Sequence, residues 1–450
     1  MNHLAIWLCA LLALALQAPA WAWSNHTLTT YRAFEAMAEV ANAKPVRAES
    51  LEVFLKAQDQ PLAQLLASQE AWARANMPHY APRADRLVFR ADPSRSDAER
   101  RQAFMSALRI SPLSRFALFL QPDMRTTPDP ARLLPHDAVN FLPEQPNDER
   151  RFVRIAPGEA VASLAVLASA SDEPDYGLDI NLWDDSPSEW GKHYGFGTLP
   201  FGNPALYYAT QAPFHMGFYH QNWLIYQAAP FLQRTYPLMR IQQYTSLSAL
   251  AFRTGHDYWG WRFAGLALHY IQDLTQPYHA DLAPGESTLR LITANMMAMA
   301  GFPKRRDDLI VLLSNRHLAL EKFQNESLVA SARTGQDTAL ERALRELQRD
   351  ATYPAWTALY ARDTVAREAH ASARQTVRTI LATVPAGYVS DPTFDFGVKA
   401  AGIHLLADME QQGPTRRAEL EQQVAQLLAR LGAHSRNTVR GILRLARPQP

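Results

Sequence analysis

Cysteine is almost absent from this 450-residue chain, which holds only Cys9. A single thiol excludes an internal disulfide framework and any site built on paired thiolates. A metal would have to be held by imidazole, carboxylate or backbone atoms. A surplus of either charge is also missing, with 45 Lys and Arg against 44 Asp and Glu. That balance gives no global attraction to duplex nucleic acid or an anionic membrane, so such a partner would have to be recognised locally. Strand-like alternation is scarce, which argues against a sandwich or barrel. Long apolar runs are lacking except near the N-terminus, where Leu4 to Ala20 is too short for a spanning helix but has the length of a signal-peptide core.

Two small-x-small sites follow that run, Ala18-Pro19-Ala20 and Ala20-Trp21-Ala22. The second predicts cleavage before Trp23, removal of residues 1–22 with Cys9, and export to the periplasm or medium. From Trp23 onward apolar residues recur at three- and four-residue steps, and the fold expected is all-α. Helices are predicted at roughly 27–43, 96–108, 158–170, 214–233, 238–253, 258–275, 286–300, 306–325, 337–349, 364–384, 395–411 and 415–431. Stretches 78–96, 122–150 and 172–205, rich in Pro, Asp and Gly, read as loops. The segment 413–450 carries seven arginines against Glu419 and Glu421 and an apolar stripe of Leu420, Val424, Leu427, Leu428 and Leu431. It reads as a basic amphipathic helical tail, with a helix face packed on its own domain as the ordinary outcome.

The chemistry concentrates in short segments that join imidazole to carboxylate. In Leu268-His269-Tyr270-Ile271-Gln272-Asp273-Leu274-Thr275-Gln276-Pro277-Tyr278-His279, His269 and Asp273 are four apart and project from one helix face. His279 follows a proline that ends or kinks that helix. His317 and Glu321 form a second pair at the same spacing. Two such pairs on an apolar background suit zinc, which takes imidazole nitrogen and carboxylate oxygen.

Together with Trp23-Ser24-Asn25-His26, Pro174-Asp175-Tyr176 and His193-Tyr194, these segments resemble the bacterial zinc-dependent phospholipase C family and its relatives, the single-strand-specific zinc nucleases. The resemblance covers short islands between Trp23 and Glu321. It implies that Trp23 and His26 hold one zinc with Asp273 as a bridge, and that Asp175, His193, His269 and Asp273 hold a second. His279, His317 and Glu321 would hold a third. Asp172 and Asp179 flank Asp175, and the Pro-Asp-Tyr context decides for Asp175. The architecture implied is a multi-helix, bundle-like catalytic domain over 23–412 with a multi-zinc cleft and long inserted loops. Insertions fall at about 44–171 and 281–310. The second holds Asn295-Met296-Met297-Ala298-Met299, read as a core helix, with a lid or lipid-facing surface as the alternative.

The activity expected is phosphodiester hydrolysis by zinc-bound hydroxide, with Asp175 anchoring metal and orienting or deprotonating the attacking water. Glu321 and Tyr176 resemble the phospholipases, where the tyrosine helps to line a choline headgroup pocket. A glycerophospholipid is therefore the expected substrate, with peripheral membrane contact and no obligatory protein partner. A single-strand-specific nuclease or nucleotidase is the alternative, in which Trp183, Trp190, Tyr194 and Phe196 would stack bases. A secreted protein stabilised by zinc without catalysis is the reading from another class. The other histidines, His215 and His220 among them, are expected to be structural, His215 by core packing with Phe214 and Phe218.

Overall fold

The computed structural model describes residues 25–144, 148–202 and 207–447. Trp23 and the segment read as a signal peptide lie outside the described residues. The protein is all-α, as its periodicity predicts. Its main helices are α1 (His26–Phe34), α2 (Leu51–Ala57), α3 (Asp59–Asn76), α4 (Asp97–Leu108), α5 (Ser163–Asp172), α6 (Pro237–Arg253) and α7 (Asp257–Thr275). They continue with α8 (Thr288–Met299), α9 (Lys304–Thr334), α10 (Ala339–Arg345), α11 (Arg367–Thr383), α12 (Leu405–Gln412) and α13 (Pro414–Leu445).

Helix α7 is the axis of the molecule. Every residue from Tyr258 to Thr275 is buried, as a helix that is apolar nearly all round requires. It packs along α5 and α6 and touches α13. Gly265 permits the approach of α5: a Cβ there would lie 2.4 Å from the Leu167 carbonyl oxygen and 2.6 Å from the Ala170 Cβ. That contact carries the C-terminal end of α5, with Ser171 and Asp172, against the end of α7 that bears His269 and Asp273.

The segment 44–171 packs into the same core. Leu51, Phe54, Leu55, Leu62 and Leu66 are fully buried with Trp259 and Phe263 of α7. Helices α2 and α3 were not expected there. Pro61 stands in the first turn of α3, where its missing N–H costs nothing, so it does not break the helix. Short antiparallel strands tie the loops: β1 (Val46–Arg47) sets Val46 opposite Val161 of β5 (Ala160–Val161). β4 (Phe152–Arg154) lies between β2 (Phe119–Leu120) and β3 (Leu133–Leu134), with Val153 opposite Leu120 and Leu133.

Several helix expectations change in extent, 27–43 and 395–411 each breaking into shorter pieces, and three others change in extent or setting. The span 214–233 breaks into helical turns at Ala212–His215, Trp223–Ala228 and Pro230–Gln233, with Gly217 and Pro230 between or at their starts. The segment read as a tail is the 32-residue α13, whose leucine stripe is buried with residues of α9, α10, α11 and α12. Its Arg436 is fully buried, paired with Asp350 at 2.7 Å and donating to the Ala33 and Leu344 carbonyls. Finally, α8 is not a core helix, because only Ala294 and Ala298 of its residues are buried. Among the described residues no helix is long and apolar enough to cross a membrane.

Candidate metal centre

Four chain segments meet at one end of α7. Asn25 adopts a left-handed conformation (φ 67°) and accepts from the Leu28 N–H, which caps α1 and starts it at His26. The His26 backbone N–H donates to Asp172 Oδ1 (3.0 Å), pinning α1 to the end of α5. Helix α7 contributes His269 and Asp273 at the i,i+4 spacing. Past α7, Gln276 caps the turn Pro277–Ala280 by accepting from the Tyr278 N–H (2.6 Å), and this turn carries His279.

In the first group the second nitrogen of each ring fixes where the proton sits. His269 Nδ1 lies 2.8 Å from the Ser171 carbonyl, which can only accept, so that nitrogen bears the hydrogen and Nε2 keeps its lone pair. Nε2 then faces His215 Nδ1 at 3.0 Å, Asp273 Oδ2 at 3.3 Å and Asp175 Oδ1 at 3.6 Å. His26 Nδ1 lies 2.7 Å from Gln272 Oε1, whose amide nitrogen donates to Thr30 Oγ1 (2.8 Å). His26 Nε2 is thereby aimed at Asp273 Oδ1, 3.4 Å away. His215 Nδ1 stands 2.8 Å from Asp273 Oδ2, and its Nε2 is 3.6 Å from Asp179 Oδ2. Asp179 is itself held by Arg240 and by the Tyr270 hydroxyl, which donates to Oδ2 (2.6 Å). Two sets of three possible ligands result, His26 with Asp175 and His269, and His215 with His269 and Asp273. Within each set the atoms lie within 4.8 Å of one another.

The second group joins the Pro277–Ala280 turn to α9. His279 Nδ1 lies 3.0 Å from the His215 carbonyl, which turns Nε2 toward Glu321 Oε1 at 3.8 Å. His317 Nε2 approaches the same oxygen to 2.7 Å without the alignment of a hydrogen bond. The Tyr278 ring stacks on His317 (5.2 Å, 7°), and the Gln276 amide donates to Glu321 Oε1 (3.1 Å).

Burial disfavours the charged form of His26, Asp175, His215, His269, Asp273, His317 and Glu321. It pushes His215 and His317 down to about 3 and lowers His26 and His269. It raises the carboxyls of Asp175, Asp273 and Glu321 well above the usual range, with Asp172 adding to the effect on Asp175 and Asp175 to that on Asp273. Among the described residues, His26 Nε2, Asp273 Oδ1, His317 Nε2 and Glu321 Oε2 are buried and make no hydrogen bond. Polar atoms so buried cost about 1–3 kcal/mol each when unpaired. Lone pairs from imidazole and carboxylate converging without donors suit a divalent cation of the zinc kind, whose charge would reverse that penalty.

Of the residues anticipated from sequence, His26, Asp175, His269, Asp273, His279, His317 and Glu321 all come together here. His193 does not. It lies exposed on the short helix Glu189–Tyr194, where its carbonyl accepts from Arg86 (2.7 Å). His215, expected to pack because of its aromatic neighbours, stands instead beside His269 and Asp273, and its carboxylate partners Asp179 and Asp273 are too remote in sequence for any spacing to signal them. Its aromatic neighbours do pack, Phe214 and Phe218 being 0% and 1% exposed, while its own ring turns inward to the cluster. Tyr176 also departs from expectation. It is 2% exposed, its hydroxyl donates to Gln121 Oε1 (2.5 Å), and its ring lies against Phe119 and Phe152. A cation already covers that ring, the Arg150 guanidinium at 5.3 Å, so a headgroup has no access to it.

Comparisons of this chain with protein-family models, curated proteins and solved structures return no match. The site is therefore read on its own chemistry.

Proposed function

We propose that the protein is a zinc-dependent phosphodiester hydrolase of the phospholipase C kind. The observation that carries this reading is the convergence of His26, Asp175, His215, His269 and Asp273 beside His279, His317 and Glu321, with buried lone pairs left unpaired. Zinc ions in such a site would polarise the phosphoryl oxygens, lower the pKa of a coordinated water and neutralise the leaving oxygen. The chain's own residues do the rest. His26 and His269 present nitrogens oriented by Gln272 and the Ser171 carbonyl, and His215 turns Nδ1 to the cluster with Asp179 behind its other nitrogen.

Asp175 is the most accessible of the ligand set, with a side chain 14% exposed against 0–5% for His26, His215, His269, Asp273, His279, His317 and Glu321. It takes the proton of the attacking water as that oxygen bonds to phosphorus and the bond to the diacylglycerol oxygen breaks, and the proton then passes to the departing oxygen to release the alcohol. A lipid is favoured over nucleic acid because, of the four aromatics that could stack bases, Trp183, Tyr194 and Phe196 are 0–1% exposed in the core and Trp190 alone is partly exposed, packed against the same core.

The test is zinc analysis of the purified mature protein, followed by parallel assays on phosphatidylcholine vesicles and single-stranded DNA with a chelated control. Bound zinc with chelator-sensitive phosphocholine release is the expected result. Cleavage of DNA with inert lipid would overturn the substrate class. A protein that binds no divalent metal would overturn the reading altogether.

A further inference from the structure

Helix α8 has an unusual environment for its composition. It carries Leu289, Leu291, Ile292, Met296, Met297 and Met299, yet Leu289 is 74% exposed and Met296 is 63% exposed. The turn that follows leaves Phe302 66% exposed. The short helix Trp223–Ala228 touches α8 and buries none of its residues, with Trp223 67% and Leu224 41% exposed. Large apolar side chains exposed together, rather than singly, mark a contact surface.

The surface adjoins the metal centre. The helix Trp223–Ala228 follows the segment of His215, and α8 follows the turn that holds His279. The Gly217 N–H donates to the His279 carbonyl (2.8 Å), and one apolar cluster joins Met216 and Phe218 to Ile225 and Leu282. Both apolar helices are thus anchored to the segments that carry two of the candidate ligands.

Its charge identifies the occupant. From Ala212 to Gln233 the sequence has no Asp, Glu, Lys or Arg, and from Ser287 to Pro303 the only such residue is Arg290. At its edges stand Arg290, 61% exposed and paired with Glu286 at 2.6 Å, and, past Pro303, Lys304, 80% exposed and paired with Asp308 at 2.7 Å, followed by the exposed Arg305. An apolar surface without acidic residues of its own, with an exposed indole and a rim of ion pairs next to Arg305, matches the boundary between acyl chains and zwitterionic phosphate headgroups.

We infer that α8, Phe302 and the helix Trp223–Ala228 form a docking surface for a phospholipid bilayer, which brings the metal centre to its substrate at the interface. This inference rests on the phospholipase reading for its purpose but not for its test. Binding to phosphatidylcholine vesicles is measured by flotation and by Trp emission on the chelated protein, for wild type and for the triple variant Trp223→Ser/Leu289→Ser/Phe302→Ser. Hydrolysis of a short-chain phosphatidylcholine below its micellar concentration is measured in parallel on the zinc-loaded proteins, and sedimentation gives their oligomeric state.

The wild type is expected to float with vesicles and the variant to lose at least about tenfold in partitioning, while both cleave the monomeric lipid alike. Vesicle binding with no hydrolysis of any phosphodiester would uphold the surface and remove the proposed function. Equal vesicle binding by the two proteins would overturn the surface and leave the function standing. A wild type that ignores vesicles but self-associates through these residues would also overturn it, assigning the patch to a second copy of the chain.

Discussion

Gln272 Oε1 lies 2.7 Å from His26 Nδ1, across a separation of 246 residues. The adjacent residue, Asp273, faces the other nitrogen of the same ring at 3.4 Å. One turn of α7 therefore supplies both a candidate ligand and the group that orients its neighbour. Replacing Gln272 by Met keeps the volume but removes the acceptor that fixes the His26 tautomer. We expect the affinity of one zinc equivalent to fall about 10–100-fold, the usual cost of losing such an outer partner. Competition with a coloured chelator would measure it, and an unchanged affinity for every equivalent would show that Gln272 orients nothing.

His215 and His193 offer a direct comparison. His215→Ala removes a buried imidazole 2.8 Å from Asp273 and 3.0 Å from His269, whereas His193→Ala alters an exposed side chain. We expect the first to lose zinc and phosphodiesterase activity and the second to keep both. Metal analysis of the two folded proteins decides, and loss of zinc from His193→Ala alone would reverse the assignment.

Beside the centre, Glu173 grips Arg262 through two contacts, 2.6 and 3.0 Å, with both side chains at 5% exposure or less. Glu173→Gln keeps the shape and leaves the guanidinium buried without its counter-charge over the Trp259 ring. The expected loss is roughly 3–5 kcal/mol of unfolding free energy. Urea denaturation would measure it, and a loss below about 1 kcal/mol, the scale of exposed pairs, would mean that water reaches this pair.

Stability should also depend on pH through His434, away from the metal site. Burial holds its pKa below the ordinary value, its Nδ1 faces the Tyr360 hydroxyl at 2.8 Å, and its Nε2 lies 2.9 Å from Glu368. Because the folded pKa lies below the unfolded value of about 6.5, the unfolded chain takes the proton first as pH falls. The contribution of the neutral ring is complete above that value and is lost progressively below it. Wild type should therefore lose more stability than His434→Gln between pH 7.5 and 5, measured as urea midpoints. Parallel pH profiles would show that the ring accepts its proton in the folded state.

Helical periodicity settled much of this protein locally. The all-α class follows from it, as do the pairs His269 with Asp273 and His317 with Glu321, because an i,i+4 spacing puts both side chains on one face wherever the helix is packed. Tertiary packing decided what spacing cannot encode. Asp172, Asp175 and Asp179 share one short segment from which context picks out Asp175 alone, yet all three serve the centre: the first accepts from the His26 backbone, the second faces His269 and the third lies behind His215. His215 becomes a candidate ligand only because its helical turn packs against α7 beside His269 and Asp273. Tyr176 loses its anticipated role because Arg150 and the small sheet close over it. Apolar composition foretold burial for α8, but burial needs a partner surface, and the fold provides one only for Ala294 and Ala298.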